Sequence, residues 1–293
     1  MVKSVLPIAG KRVVLAGSGP LLLAVAAYLR KSGAGIAGIF EQAPISRLAR
    51  FTADLIPRPY KLAEALRFGA ATAGVPYRTS SWVERAHGEQ FLRAVTVNAS
   101  GRPREIPCDY LGTGFHLVPN LELPELLGCK ISQERVCVDQ EQQSTVQSVY
   151  CAGELTGIGG LEKALLEGEI AGLATAGRSA RHLYRRRDAY VRFANALDSA
   201  FVLRDELRSL PTAETLVCRC EDVPIGALRG MRTGREARLH TRCGMGPCQA
   251  RICGPATEFL LRWTSAGIRP PLAPSRLDTL AAHPLRHNSE TRP

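Results

Sequence analysis

The sequence from Lys11 to Lys31 reads KRVVLAGSGPLLLAVAAYLRK. Its first six residues predict a short buried strand, and the next four, Gly17-Ser18-Gly19-Pro20, predict a tight turn. The remaining residues carry apolar side chains at helical spacing, and a second predicted strand, Ile36–Phe40, ends at Glu41. A strand, a turn, a helix, a strand and an acidic residue in this order open a dinucleotide-binding α/β fold. We therefore expect a Rossmann-like domain.

The glycine turn of this unit is a candidate phosphate site. Gly17 and Gly19 match the first two glycines of the G-x-G-x-x-G pattern, and Leu22 stands in place of the third. Glu41 follows Gly19 by 22 residues, about where a ribose-binding carboxylate belongs. Because the third glycine is replaced, we expect Gly17 and Gly19 to hold an adenine nucleotide without turnover of NAD(P)H. The alternative is a Rossmann-like domain whose nucleotide site is empty or altered.

A second glycine motif follows Val146–Ala152, which predicts a strand. It consists of Gly153-Glu154 and then Gly159-Gly160, just before a predicted helix over Glu162–Ala176. A carboxylate at a strand end suits the ribityl chain of FAD, and glycines beside a helix N-terminus suit pyrophosphate or ring contacts. Upstream, Gly112–Pro119 resembles the crossover between the two dinucleotide domains of flavoproteins. An ordinary loop is the alternative to a flavin site.

Five of the nine cysteines lie between Cys218 and Cys253. Cys218-x-Cys220 is followed by Cys243 and by Cys248-x4-Cys253, so four thiolates could converge from two tight segments. A C-x-C pair is cramped for a zinc knuckle, and the spacing therefore favours a [2Fe–2S] cluster over zinc or over inert buried cysteines. The other four are expected to be small buried hydrophobic residues: Cys108, Cys129, Cys137 and Cys151.

Composition limits the classes of protein that fit. A chain of 293 residues predicts two or three domains, and 45% apolar with 22% charged residues excludes general disorder. The net charge is +11, but residues 108–177 carry 3 basic and 10 acidic side chains. With only 6% aromatic residues, these features argue against a nucleic-acid partner. The sequence has no apolar run long enough for a membrane span, so we expect a cytoplasmic protein, with peripheral contact at the inner membrane face as an option.

The cysteine segments Val217–Val223 and Thr241–Cys253 resemble the bacterioferritin-associated-ferredoxin-like [2Fe–2S] domain. The segment Lys11–Gly177 resembles the FAD/NAD(P)-binding subunit of hydrogen cyanide synthase, opine oxidases and proline or hydroxyproline dehydrogenases. The resemblance implies four cluster ligands, with Cys243 as a spare or a substitute: Cys218, Cys220, Cys248 and Cys253. It also implies FAD, although the half of the FAD domain that binds ADP has no counterpart in the sequence, so the FAD site is expected to be incomplete or shared.

This family implies an α/β fold with a Rossmann-like domain, part of an FAD domain and a small helical [2Fe–2S] domain. The expected divisions are 1–107 for the NAD(P)-like domain, 108–177 for the FAD part, 178–214 for a helical connector, 215–265 for the cluster domain and 266–293 for a flexible tail. The implied function is electron transfer within a heteromeric amine or amino-acid oxidoreductase, from a flavin-containing catalytic partner to an acceptor that we expect to be respiratory. Two alternatives are a non-catalytic iron–sulfur protein with a degenerate nucleotide domain and a zinc-binding nucleic-acid protein. No catalytic residue is expected, because the six histidines are dispersed: His87, His116, His182, His240, His283 and His287.

Overall fold

The computed structural model describes residues 6–99, 101–115, 117–263, 267–272 and 275–282. The first part of the chain contains the elements β1 (Arg12–Gly17), α1 (Leu21–Lys31), β2 (Gly35–Glu41), α2 (Ile45–Leu55), α3 (Pro59–Ala71), β3 (Tyr77–Arg78), β4 (Ser81–His87), β5 (Ala94–Ala99), β6 (Arg102–Pro107) and β7 (Tyr110–Gly114). Strands β3, β2, β1 and β7 form a four-stranded parallel sheet in that order. The predicted Rossmann-like unit is thus confirmed, with the glycine turn between β1 and α1.

The central strand β1 is buried on both faces because its side chains alternate between two apolar cores. Val13 and Leu15 pack on the side of α1. Val14 and Ala16 pack against the antiparallel sheet β4-β5-β6, whose Val95 contributes to the same core. Strand β7 returns to this parallel sheet beside β1. Residues 110–114 therefore belong to the same sheet as β1, and the domain boundary after residue 107 stays a prediction.

The middle of the chain contains α4 (Glu122–Leu126), β8 (Ile131–Ser132), β9 (Arg135–Val136), a 3₁₀ turn over Glu154–Thr156, α5 (Leu161–Thr175) and α6 (Arg181–Ala200). The helices α5 and α6 agree with the predicted helix and connector. The strand predicted over Val146–Ala152 is wrong, because this segment makes only an isolated bridge from Tyr150 to Gln143. Ser148 has a φ of 62°, and this left-handed conformation interrupts an extended strand.

The C-terminal part of the described chain forms a small cysteine module. Its elements are β10 (Leu216–Cys218), β11 (Val223–Pro224), α7 (Gly234–Thr241) and α8 (Cys253–Leu261), which enclose a core with Leu228 and Trp263. A last helix, α9 (Leu277–Ala282), lies where the sequence predicts a flexible tail, and residues 283–293 of that tail lie outside the described residues.

Candidate cofactor sites

The glycine turn between β1 and α1 is closed. Gly17, Ser18 and Gly19 are all buried. A Cβ on Gly17 would lie 2.0 Å from the carbonyl oxygen of Gly114 on β7, and the Ser18 N–H donates to the same oxygen at 2.8 Å. The glycine at position 17 is therefore required by the approach of β7, independently of any nucleotide.

Glu41 faces this turn from the end of β2. Its side chain is fully buried, and its two carboxylate oxygens accept the N–H groups of Gly19 at 2.8 Å and Ala43 at 2.9 Å. Burial raises the pKa of Glu41 above its ordinary value, although these backbone donors oppose the shift. The carboxylate predicted to bind ribose thus takes the N–H that a phosphate would need.

The second glycine motif lies on a buried polar network. The Lys163 ammonium and the Glu167 carboxylate on α5 are 2.8 Å apart and only 1% and 2% exposed. Glu167 accepts the Gly153 N–H at 2.9 Å, and Lys163 donates to the Gly153 carbonyl at 3.2 Å and to the Thr156 hydroxyl at 2.9 Å. These bonds hold the turn that ends at Glu154 against the helix.

The acidic and glycine residues of this motif have different surroundings. Glu154 is half-buried, and its carboxylate accepts the N–H of Gly160 at 3.0 Å at the exposed start of α5. A Cβ on Gly159 would lie 2.4 Å from the Lys163 side chain, so packing against Lys163 already explains this glycine. Glu154 and Gly160 are the members of the motif that a ligand could reach.

A cavity of about 590 Å³ adjoins Gly157 and Ile158 of the same motif. The cavity is also lined by Leu117 and Pro119 of the predicted crossover, and by residues of α6. Arg135 on β9 lies at its wall and pairs with Asp198 at 3.1 Å. Its volume falls within the range of small-molecule sites.

The cysteine module brings five thiols into one region. The sulfur atoms of Cys218, Cys243 and Cys253 lie within 4.8 Å of one another and are all buried. Beside them, Cys220 and Cys248 lie close enough for each thiol to affect the pKa of the other. Cys243, which the sequence leaves as a spare or substitute ligand, thus belongs to the buried trio.

Backbone groups modify the acidity of these thiols. Burial raises the pKa of Cys218, but N–H donors led by that of Gly244 outweigh it, so the net shift is downward. Burial and the neighbouring thiols raise the pKa of Cys253. A Cβ on Gly246 would lie 2.3 Å from the Cys220 Cβ, so this glycine permits the close approach of the two cysteine segments.

Several functional candidates are absent from the sequence predictions. The Lys163–Glu167 pair has a weak signal, a Lys and a Glu four residues apart in a helix rich in Ala, Leu and Glu. Thr156 and Arg135 have no sequence signal of their own.

Of the other cysteines, Cys108, Cys129 and Cys151 are buried as expected, whereas Cys137 is half-buried. Among the described histidines, His87 is half-buried, and His182 and His240 are exposed. The other three histidines of the prediction lie outside the described residues: His116, His283 and His287.

The model of the family described as pyridine nucleotide-disulphide oxidoreductase matches residues 2–180. The chain is 29% identical to the HcnB component of hydrogen cyanide synthase from Pseudomonas protegens, over 82% of this chain and 58% of that protein. It is 30% identical to an opine oxidase subunit of Rhizobium meliloti, over 93% of this chain and 67% of that protein. The chain thus spans about three fifths of the length of the first of these relatives.

Among solved structures, L-proline dehydrogenase from P. horikoshii is similar with a TM-score of 0.57 and 17% identity, over 92% of this chain and 50% of that one. At this identity the likeness concerns the fold alone. In the described part of the chain, no helix is both long and apolar enough to cross a membrane.

Proposed function

We propose, because the chain belongs to the pyridine nucleotide-disulphide oxidoreductase family, that it is the electron-transferring subunit of a heteromeric flavin and iron–sulfur oxidoreductase. One observation carries the proposal: five cysteine thiols converge in a separate module joined to a domain of a flavoprotein fold. The homologous hydrogen cyanide synthase and opine oxidase proteins are named as subunits of larger enzymes. The substrate would be an amine or amino acid, of the amino-acid, opine or proline type, oxidised on a flavin-containing partner chain.

The donor set of the cysteine module fits a [2Fe–2S] cluster. All five candidate donors are sulfur atoms, and cluster irons take four thiolates. The ligands we propose are Cys218, Cys220, Cys248 and Cys253, and Cys243 is the competing fourth ligand because of its place in the buried trio. The Gly244 N–H, which donates to the Cys218 sulfur at 3.5 Å, would stabilise thiolate charge there. When bound, the cluster would supply a one-electron carrier.

The second glycine motif fits part of FAD. Glu154 offers a half-buried carboxylate for ribityl hydroxyls, and Gly160 offers exposed backbone at the N-terminus of α5. Gly153 and Gly159 would act indirectly, because the Lys163–Glu167 network already engages them. When bound, the flavin would supply a two-electron centre. At the closed turn the Gly19 N–H is already bonded to Glu41, and we propose that a partner chain contributes the ADP contacts.

Substrate chemistry would take place elsewhere in the complex. The described histidines are surface or half-buried residues, and no buried acid–base pair other than Lys163–Glu167 lines a candidate site in the described residues. This chain would therefore position cofactors and pass electrons on to an acceptor. We propose a respiratory acceptor, which would place the complex in the cytoplasm at the inner face of the cell membrane.

The test is a series of cysteine-to-serine variants of the purified chain, read by iron and sulfide content and by visible absorbance. Ser at position 218, 220, 248 or 253 should abolish or strongly alter a red-brown [2Fe–2S] spectrum, and Cys243→Ser should preserve it. Cys137→Ser, outside the module, is the matched control. A colourless protein that contains zinc would overturn the iron–sulfur proposal, and loss of the cluster in Cys243→Ser with retention in Cys253→Ser would reverse the ligand assignment.

A second candidate function is a non-catalytic iron–sulfur protein with a degenerate nucleotide domain. The observation that favours it is the contact between the Glu41 carboxylate and the Gly19 N–H, which removes a donor that a phosphate at this turn would use. Flavin released from the chain isolated together with its partner distinguishes the two functions. The electron-transfer proposal requires flavin in that complex, whereas the second candidate does not.

A further inference from the structure

The segment Phe201-Val202-Leu203-Arg204, called the strap here, joins α6 to a 3₁₀ helix over Asp205–Ser209. It crosses the glycine turn between β1 and α1, about 160 to 180 residues earlier in the chain. The Ser18 hydroxyl donates to the Phe201 carbonyl at 3.1 Å. The strap is therefore bonded to the middle residue of the turn itself.

Gln42 forms the other hydrogen bonds that hold the strap on the turn. Its amide nitrogen donates to the Val202 carbonyl and to the Ser18 hydroxyl, both at 3.0 Å. Its amide oxygen accepts the Arg204 N–H at 2.9 Å. The side chain is fully buried, and all its hydrogen-bonding groups serve the strap and the turn. Gln42 thus binds the backbone of the strap through specific hydrogen bonds.

Side chains of the strap complete the cover. The Phe201 ring packs on Phe51 with centroids 5.3 Å apart, and the Arg204 guanidinium lies 4.9 Å from the centroid of the Trp82 ring. The strap contacts the turn at Ser18, and Gly17, Ser18 and Gly19 are all buried. A turn that binds pyrophosphate must expose its N–H groups to the ligand. The strap and a nucleotide therefore compete for one place.

We propose that the entrance to the Gly17–Gly19 turn is a docking site for the chain's own strap. ADP binds at this turn only when the strap is displaced and the Glu41 side chain turns away from the Gly19 N–H. Two donors at the strap, Trp82 Nε1 and Arg204 Nε, are buried and have no hydrogen-bond partner among the described residues. Each of these N–H donors is more stable when it is hydrogen-bonded to water or to a protein acceptor. The docked strap thus leaves these two buried donors without hydrogen bonds, and this favours its exchange for a ligand.

Displacement would reach the cysteine module, because the strap leads directly into Asp205–Ser209. Arg208 of this 3₁₀ helix donates to the carbonyl of Phe259 on α8, and its guanidinium lies 4.2 Å from the centroid of the Phe259 ring. Nucleotide binding at the glycine turn would therefore weaken the contact of Arg208 with Phe259, which connects the strap to the cysteine module.

The test measures binding of ADP by equilibrium dialysis to the full chain and to Ser18→Ala and Gln42→Ala, which weaken the strap. Ser199→Ala is the matched control, because its hydroxyl bonds only within α6. We expect ADP to bind the two strap variants at least tenfold more tightly than the wild type or the control. Hydrogen exchange gives a second readout in the unmodified chain: at saturating ADP the amides of 201–204 should lose protection.

Trp82 provides a third readout. In a Trp263→Phe background it is the remaining tryptophan, and its emission should shift to longer wavelength as ADP displaces Arg204. The proposal is overturned if the wild type binds ADP as tightly as folded strap variants while 201–204 keep their protection. It is also overturned if neither folded strap variant binds ADP, since the uncovered turn would then be no nucleotide site. None of these readouts depends on a cluster or a flavin, so they are independent of the proposed electron-transfer function.

Discussion

Glu41 illustrates how a single residue can close a site. Its carboxylate is fully buried, and its oxygens accept the backbone N–H groups of Gly19 and Ala43. Backbone donors stabilise a buried carboxylate only in part, because desolvation remains the largest influence on its pKa. Burial of Glu41 therefore favours its protonated form.

The first prediction concerns the pH dependence of stability at Glu41. Since the folded-state pKa lies above the ordinary value of 4.5, this group contributes stability that is present below about pH 4.5 and is lost as the pH rises through the folded pKa. Replacement by Gln removes the titration but retains a hydrogen-bonding oxygen. Urea denaturation at about pH 4.5 and about pH 7.5 should show that wild type loses more stability than Glu41→Gln between the two values.

The control for this measurement is Glu89→Gln at an exposed position. It should follow the wild-type pH dependence. Equal slopes for wild type and Glu41→Gln would show that Glu41 does not titrate between these pH values, and the interpretation of its burial would then be wrong.

At the scale of an element, α5 is organised by its buried ion pair. Lys163 and Glu167 lie one turn apart on the face that meets the Gly153 turn, and their bonds to Gly153 and Thr156 join the helix to that loop. A buried pair contributes little net stability relative to apolar residues, but loss of one partner leaves an unpaired charge.

The second prediction follows from this asymmetry. Lys163→Met should lower the free energy of unfolding by about 3–5 kcal/mol, because Glu167 remains buried without its cation. The double variant Lys163→Met/Glu167→Leu should recover part of that loss, since it removes both charges. Arg12→Met is the control: its pair with Asp109 is 3.6 Å long and its side chain is 56% exposed, and about 0–1 kcal/mol is expected. Denaturation by urea measures all three, and a double variant no more stable than the single one would contradict the argument.

Local signals predict local elements well in this chain. The unit from β1 to β2 was predictable because alternation, turn chemistry and helical spacing all lie within about thirty residues. The false strand over Val146–Ala152 had the apolar composition of a strand, but it has no neighbouring strand to pair with, apart from one bridge to Gln143. Composition alone does not show whether a partner strand is in place.

The sequence indicated which segments carry the candidate sites, but not how their residues contact one another. Cysteine spacing indicated the module, because thiolate sites need ligands on short segments. It could not indicate that Cys243 joins Cys218 and Cys253, because that depends on the path between α7 and α8. The contacts of Ser18 and Gln42 with the strap join residues more than 150 positions apart, and no local pattern reports them.

At the scale of the whole molecule, large apolar side chains lie uncovered beside the second glycine motif. Leu161 and Leu165 on α5 are 68% and 65% exposed, and Leu117 and Val118 of the crossover are 55% and 54% exposed. Val149 and Tyr150, which precede this motif, are half-buried. Contiguous exposed apolar patches mark an interface or an aggregation liability, and we expect these side chains to form one.

The last prediction is that the chain purified alone retains little or no FAD and needs a partner chain to stay soluble. FAD requires a cradle for its pyrophosphate as well as contacts to the ribityl chain and ring. Glu154 offers only the latter, the Gly160 N–H already donates to Glu154, and the turn at Gly17 is in contact with the strap. Flavin released on denaturation should be far below one equivalent, and size-exclusion chromatography should show aggregation that Leu161→Ser/Leu165→Ser reduces. The control is Leu277→Ser, an exposed leucine on α9, which should leave aggregation unchanged. A monodisperse monomer that releases nearly one equivalent of FAD would refute the shared site, because this chain alone would then supply every contact that the cofactor needs.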